Sequence, residues 1–537
     1  MSTHTSSGRT LVTGATIYTG LPNESESPTA LLSDGDRIIW LGSDAEAETY
    51  AAQEGVEVVE AQGALLTPGF CDAHVHLTMT GQGLDGIDLS RTRSLAEALA
   101  LIESAARHTR GRPIYAHSWD ETKWPERRPA TNTELDRATY GGVVYMPRID
   151  AHSASVSSAM AAVARVHGID GWDGAGVVTR DAFAAVTNAF TSGMTVKDRE
   201  HYLDLALRAA AERGITLVHE TGAEHLTNYD DVHHVLEAGQ RPGRTETVAY
   251  WGLLVDDEAR AAELAHHLGV LGLAGDLCAD GSFGSRTAHV HDPYLDDDGE
   301  PTQACGYGYL KIEEIRDHVV ACTRAGIQAG GHVIGDAALE TMTAGFAAAA
   351  EVVGKDAMRA ARHRWEHVEL PSASVMATMA DLGIWASMQP AFDSSWGGED
   401  GMYAERLGVD RALQVVPMAD MAAAGVNMAF GSDSPVTPLD PWGGVQAAVS
   451  HHNPAQRLSV EQAFAAHTVG GYRLAGRDGG DLRVGGPATY VIWDESAHSW
   501  PHTESGLPDF SQEGSQSTPM ARRTVVNGHV AFDREGV

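Results

Sequence analysis

Six short apolar segments, each closing on a polar residue, limit what this chain can fold into more than any other feature. They read GITLVHE, GVLGLAGDLCADG, GIQAGGHVIGD, RWEHVEL, GIWASMQP and GVNMAFGSDSP, and their polar closures are His219, Asp276, His332, His367, Gln389 and Asp433. Alanine-rich stretches such as SLAEALALIESAARH, YLDLALRAAAERG and ALETMTAGFAAAAEVVG lie among them, with apolar residues at helical spacing. Strand-length apolar runs alternating with amphipathic helices predict a parallel sheet or barrel. In a (β/α)8 barrel the active site is built at the carboxyl ends of the strands, where the six polar closures fall. The chain has 537 residues. At roughly 100–200 residues per domain this suggests about three domains. One barrel of about 250 residues or more, carrying a smaller domain, satisfies the length equally well.

The two ends differ from this middle. Residues 10–66 read as short strands bounded by turns, in RTLVTGATIYTG, DGDRIIWLG and VEVVEAQGALLTPGF. The carboxyl end has the same texture in GGPATYVIWDES and RRTVVNGHVAFDR, and Asn527-Gly528 is a hairpin signal. Residues 497–519, rich in Pro, Ser and Gly, read as a surface loop.

Composition removes several function classes. Lys and Arg number 38 against 73 Asp and Glu, a net charge of −35. A surface that neutralises phosphates needs the opposite balance, so nucleic acid and anionic membranes are not expected partners. A 43% hydrophobic fraction supports a large core and excludes wholesale disorder. Cys71, Cys278, Cys305 and Cys322 form no CxxC pair, so no disulfide framework is expected. The start, MSTHTSSGRTLVTG, lacks a secretory pattern, and no run approaches the ~18–20 apolar residues of a membrane span. The expected location is cytoplasmic. No GxGxxG, P-loop or Gly-x-Ser-x-Gly elbow is present, which leaves nucleotide cofactors and serine hydrolysis unsupported.

The sharpest local motif is LLTPGFCDAHVHL, with His74 and His76. In a strand, residues two apart face the same way, so both imidazoles can reach one metal ion. Strand-end residues His332, His367 and Asp433 offer further ligands. Zn²⁺ accepts imidazole and carboxylate together, and a catalytic site keeps a position for water.

These motifs, with SWDETKW, LDRATYGGVVYMPRIDAH, ADGSFGSRTA, ASMQP and FGSDSPVTPLDPW, resemble the metal-dependent amidohydrolase superfamily. Within it the similarity is to amidohydrolase family 3, the branch of the N-substituted formamide deformylases, and it covers nearly the whole chain. The resemblance implies an α/β fold: a TIM-like (β/α)8 barrel with a small β-sandwich formed from both chain termini. The expected domains are 1–66 with 480–537 for the sandwich and 67–479 for the barrel. It implies His74 and His76 as first-strand ligands, His332 and His367 as strand-five and strand-six ligands, and Asp433 as the strand-eight aspartate.

One position departs from the pattern. Many members of the superfamily carry a carboxylated lysine on strand four, in this branch four residues before a D-G-S motif. Here that motif is Asp280-Gly281-Ser282, and Asp276 stands in the lysine position. The chain's four lysines, Lys123, Lys197, Lys311 and Lys355, all lie elsewhere. Either Asp276 bridges two metals directly, with its shorter reach, or the site holds one ion and Asp276 orients a ligand or the substrate. One Zn²⁺ is preferred here, with two ions and other divalent metals left open. Cys278 shares the strand parity of Asp276 but reads as a buried structural thiol.

The expected chemistry is hydrolysis of a non-peptide C–N bond, an amide or N-substituted formamide, in a small molecule. Asp433 is the expected general acid–base, and the metal, His332 or His367 would stabilise the oxyanion. Substrate-facing candidates are Trp119, Asp150, His152, Arg286, Phe392 and Trp442, as aromatic walls with a few polar groups suit a small ligand. A deaminase or cyclic amidohydrolase on the same barrel is the alternative, followed by an isomerase or non-catalytic barrel. A homodimer is admitted but not required.

Overall fold

The computed structural model describes residues 8–21, 27–109, 111–296, 298–494, 501–511 and 518–534. Of the predicted loop at 497–519, residues 497–500 and 512–517 lie outside the described residues. Eight parallel strands form the central sheet: β1 (Phe70–Val75), β2 (Ile215–Ala223), β3 (Glu246–Gly252), β4 (Gly272–Leu273), β5 (Gln328–Val333), β6 (Arg364–His367), β7 (Trp385–Met388) and β8 (Met428–Phe430). They neighbour one another in chain order, and β1 meets the segment after β8. There the Asp433 N–H donates to the His74 carbonyl at 2.8 Å and the His76 N–H to the Ser434 carbonyl at 2.9 Å. The sheet is thus a barrel, and residues following β1 and β8 close it at the end where the polar closures sit.

Strands β1, β5, β6 and β7 are buried along their whole length, as expected where helices cover the outside. Helix Asp336–Val353 shows why the alanine-rich stretches fit. Ala337, Ala338, Leu339, Met342, Gly345, Phe346, Ala349 and Ala350 are its buried face, mostly small residues that let a long helix lie close to the strands. Helix Val196–Glu212 starts at a capping box: the Asp198 N–H donates to Thr195 Oγ1 at 3.2 Å, and Asp198 Oδ2 accepts from the Thr195 N–H at 2.9 Å. Such a cap satisfies orphan donors of the first turn.

The chain ends build two more sheets. One runs Arg37–Gly42, Ala30–Asp34, Arg9–Thr13, Val56–Glu60; the other Thr16–Ile17, Leu65–Pro68, Tyr490–Asp494, Met520–Val526, His529–Asp533. The second mixes strands from both termini, and a shared core of Val12, Ile17, Leu31, Ile38, Leu66, Tyr490, Ile492 and Val525 fills the space between the sheets. The hairpin at Asn527-Gly528 has φ of 48° and 76°, the left-handed pair its turn type requires.

A third sheet has no counterpart in the sequence-based reading. Its order is Val177–Thr179, Ser153–Val156, Val144–Pro147, Ile114–His117, Ile87–Asp88. It lies between β1 and β2 in sequence and has its own apolar clusters, one around Trp119, Trp124 and Leu135 and another around Tyr145, Phe183 and Val186. Among the described residues no helix is long and apolar enough to cross a membrane.

Candidate metal centre

At the closing end of the barrel, donor atoms from five strands, or the residues just after them, converge. His74 Nε2 lies 3.6 Å from Asp276 Oδ1 and 3.5 Å from Asp433 Oδ1. His76 Nε2 lies 3.3 Å from Asp276 Oδ2 and 3.2 Å from Asp433 Oδ1. Two donors held at about 2.1 Å from one ion in a tetrahedron would be about 3.4 Å apart, so each of these His–Asp pairs has a ligand spacing, and the donor atoms gather in close groups of His74, His76 and Asp276 and of His74, His367 and Asp433. All of these residues are buried. His74 Nε2 and Asp433 Oδ1 are buried without a hydrogen-bond partner, and such orphaned polar atoms are costly unless a cation or another donor meets them. Asp276, His332 and His367 form a third close group, in which, as in the other two, one ligand atom from each residue lies within 4.8 Å of the others.

The hydrogen bonds behind the histidines set which nitrogen is free. His74 Nδ1 faces Glu366 Oε2 at 2.9 Å, so it carries the proton and leaves the Nε2 lone pair inward. His332 Nε2 faces the Gly281 carbonyl at 3.1 Å. A carbonyl only accepts, so His332 Nε2 is protonated and its lone pair is on Nδ1, 3.8 Å from Asp276 Oδ1. His367 Nδ1 donates to Gln389 Oε1 at 2.8 Å, which frees Nε2. Fixing the tautomer through the other ring nitrogen is how proteins prepare imidazole ligands. Burial pushes both His332 and His367 well below the ordinary imidazole range, so they are neutral. A neutral His332 in this tautomer offers the cavity a lone pair instead of an N–H. That suits a ligand and not an oxyanion donor.

The electrostatics favour a positive charge at the centre. Burial alone would lower His74 and His76. The carboxylates of Asp433, Asp276 and Glu366 outweigh it at His74, and those of Asp276, Asp433 and Glu220 raise His76 to about 9. Burial raises Asp276 in turn, against the pull of the two histidines. Cys278 faces the same cavity, but burial pushes its thiol well above the ordinary value.

Backbone features bring these groups together. Asp276 follows the short β4 and reaches the cluster because Gly252 ends β3 beside it. A Cβ at Gly252 would sit 2.5 Å from the Asp276 carbonyl carbon, so only glycine allows that approach. Close packing recurs at Gly330 in β5, where a Cβ would lie 1.8 Å from the Arg364 carbonyl oxygen. His367 and Asp433 have φ of 71° and 55°, a left-handed conformation that is uncommon for such residues and gathers at functional sites. Asp280 accepts the N–H groups of Ile334, Gly335 and His289 at 3.0, 2.8 and 2.9 Å. It thereby holds the loop whose Gly281 carbonyl orients His332.

The cluster opens on a cavity of about 210 Å³ lined by His76, Asp276, His332, His367 and Asp433 on one side. Asp150 and His152 line it from the third sheet. The Asp150 carboxylate is already engaged, by Ser282 Oγ and Ser285 Oγ at 2.8 Å each and by Arg148 at 3.0 Å. The His152 ring lies 5.0 Å from that of His332. Phe392 stacks on His367 at 5.9 Å and lines a small extension of the cavity with Trp396.

Three other candidates are elsewhere. Trp119 donates its indole N–H to the Met146 carbonyl at 2.9 Å and stacks on Trp124 in the core of the third sheet. Trp442 packs against Phe70, Phe464 and Trp493, towards the terminal sheets. The Arg286 guanidinium reaches the Leu295 carbonyl at 3.3 Å. None of these three is among the described residues lining the cavity.

The sequence did not single out Glu366, Arg364 or His225. Glu366 receives Arg364 Nε at 2.5 Å and NH2 at 2.7 Å, and these pull its carboxyl well below the usual range against burial. His225 lines the cavity 3.8 Å from Cys278 Sγ, and burial lowers it to about 4. The segment RWEH carried a signal for Glu366, since a charged residue inside a buried strand needs a partner. GAEHL carried none for His225.

The amidohydrolase family's sequence profile matches residues 57–532. The Bacillus subtilis protein named "Putative amidohydrolase YtcJ" is 26% identical, over 97% of this chain and 99% of that protein. N-substituted formamide deformylase of Arthrobacter pascens is 23% identical, over 94% of this chain and 95% of that enzyme. The crystal structure of a metal-dependent hydrolase from Pyrococcus furiosus superposes with a TM-score of 0.69 at 25% identity, covering 90% of this chain and 98% of that one. With its profile match, its barrel and its His/Asp cluster, the chain belongs to the amidohydrolase family, in the metal-dependent family 3 branch.

Proposed function

We propose that this protein hydrolyses a non-peptide C–N bond, an amide or N-substituted formamide, in a small molecule. The observation that carries the reading is the approach of buried His74 and His76 to buried Asp276 and Asp433 at 3.2–3.6 Å, with His74 Nε2 and Asp433 Oδ1 left without partners, at the floor of a cavity. His74, His76, Asp276 and Asp433 would hold one ion tightly. Mixed imidazole and carboxylate donors suit Zn²⁺. A divalent ion there would acidify a water and polarise the substrate carbonyl.

The remaining work falls to the chain. Asp433 accepts a proton from the attacking water at its carboxylate and returns it to the nitrogen as the C–N bond breaks, so one water is consumed and an acid and an amine leave. Its backbone N–H, tied to the His74 carbonyl, fixes where that carboxylate stands. Glu366 and Gln389 keep the His74 and His367 rings in their ligand tautomers. The branch and its formamide deformylase relative support the choice of bond.

A second ion position is favoured by one specific observation. The lone pairs of His332 and His367 lie near Asp276. We assign it as weaker, because Asp276 already turns both oxygens towards His74 and His76.

The test is a panel of N-formyl amines, N-acyl amines and cyclic ureas presented to zinc-loaded protein. Release of amine and acid supports the reading. Release of ammonia from ring amidines alone makes it a deaminase, and no turnover of any class overturns it.

A further inference from the structure

The lining of the cavity also carries a charge that the hydrolytic chemistry does not use. Arg180 opens helix Arg180–Thr191, directly after the last strand of the third sheet, and lines the same cavity as His76, Asp276 and Asp433. It is the only Lys or Arg among the described lining residues of the cavity and its extension. Arg148, which lies nearby, spends its charge on Glu121, Asp150 and Asp120 at 2.8, 3.0 and 3.4 Å.

Arg180 is held in place at evident expense. Its NH2 donates to Asp170 at 2.9 Å, and its guanidinium carbon lies 4.4 Å above the Tyr307 ring. These two contacts fix the plane of the fork. Its Nε is buried without a partner, and its φ is 49°. An unmatched buried N–H and a left-handed backbone each cost stability. The local fold therefore sets Arg180 for something other than its own best contacts. Tyr309 lines the same cavity. Met79, Phe183, Leu226 and Val436 add apolar lining to the same cavity. Asp181 also lines the cavity but is exposed, and it disfavours a second negative group on a ligand.

We propose that Arg180, with the Tyr309 hydroxyl, is a specificity-determining anchor for a carboxylate at the far end of the substrate. The substrate class is then an amide whose acyl-nitrogen end faces the His/Asp cluster, joined by a short apolar body to a single carboxylate. A planar guanidinium suits carboxylate recognition. In a chain of net charge −35, the one Lys or Arg among the described lining residues gives an anion a place to bind away from the metal ligands' own charge. The substrate class rests on the hydrolase reading; the anchor itself does not.

The experiment uses zinc-loaded full-length protein and two pairs of matched probes. N-formyl-5-aminopentanoate and N-formylpentylamine are compared as substrates, and hexanoate and hexan-1-ol as inert ligands by calorimetry. A hydrogen-bonded charge contact predicts a preference of about tenfold to a hundredfold for the carboxylate member of each pair. Arg180→Gln should bring that ratio near one by raising KM for the anionic substrate, with kcat and the neutral twin unmoved. Arg180→Lys should keep part of the preference, and Tyr309→Phe should lower it several-fold. Equal handling of both twins by the wild type, or a ratio unchanged in Arg180→Gln, overturns the anchor. If neither amide is cleaved, the hydrolase reading fails. The calorimetric pair then decides the anchor alone: hexanoate bound equally by wild type and Arg180→Gln removes it, and a loss of tenfold or more upholds it.

Discussion

Two charge clusters lie one below the other inside the barrel, and they are built on opposite principles. The lower is complete. Each nitrogen of Arg364 has a partner: Nε and NH2 on Glu366, NH1 on His219 Nδ1 at 3.0 Å, and NH2 also on the Ala73 carbonyl at 2.6 Å and Ser387 Oγ at 3.1 Å. The guanidinium also lies 4.1 Å over the Tyr250 ring. The upper cluster is incomplete. Its histidines point lone pairs inward, its aspartates add negative charge, and His74 Nε2 and Asp433 Oδ1 have no partner. Glu366 belongs to both, since it binds Arg364 below and orients His74 above. A barrel interior can thus bury charge in two ways. The matched cluster needs no ligand, and the unmatched one keeps donors without partners, which the proposed ion would meet.

Substitutions that separate these roles would break or sharpen the contrast. The largest effect is expected below. Arg364→Met leaves Glu366 buried without its partner and should cost about 3–5 kcal/mol of stability in denaturant titrations. Replacing Glu366 by Leu as well should restore a good part of it; no restoration would mean that Arg364 acts through packing. Asp433→Asn should lower turnover about 10²- to 10⁴-fold while the metal-free protein keeps or gains thermal stability. A large fall in its melting temperature would place the residue in the lower class. Gln389→Leu releases the His367 tautomer and should weaken the second metal position about 10- to 100-fold, with the tight ion retained, as metal titration would record.

The smallest effect is expected far from both clusters. Glu134 is lowered to about 2, first by the Arg128 contact and then by Thr131. Its contribution is present above its ordinary value of 4.5 and is lost as pH falls towards 2. Partial exposure keeps it below about 1 kcal/mol. Melting curves of Glu134→Gln and wild type should therefore converge across that window; a constant offset would show that the pair does not titrate with unfolding.

The barrel was legible in the sequence because its signals repeat. Strand-length apolar runs with polar closures recur between helical stretches, and all of His74, His76, Asp276, His332, His367 and Asp433 came from that pattern and the family resemblance. The third sheet was not legible. Its strands are two to four residues long, too short for an alternating pattern to stand out from loops. Aromatic residues misled for a related reason: Trp119 and Trp442 bury large rings in cores as readily as Phe392 does beside a cavity. The reach of Asp276 depends on the missing side chain of Gly252, a relation between strands that no local motif records. For Glu366 the partner Arg364 was in view two residues earlier on β6, but its contact with His74 exists only when β1 and β6 share one barrel.

The central claim is that Asp276, standing where the family resemblance implies a modified lysine, is one of four donors to a single tight ion. The direct measurement is zinc per chain, by elemental analysis after reconstitution and desalting, in wild type and Asp276→Ala. The account predicts one retained zinc in the wild type and a loss of most of it in Asp276→Ala, with the fold intact by circular dichroism. Two zinc ions retained in the wild type, or full retention in Asp276→Ala, would contradict it.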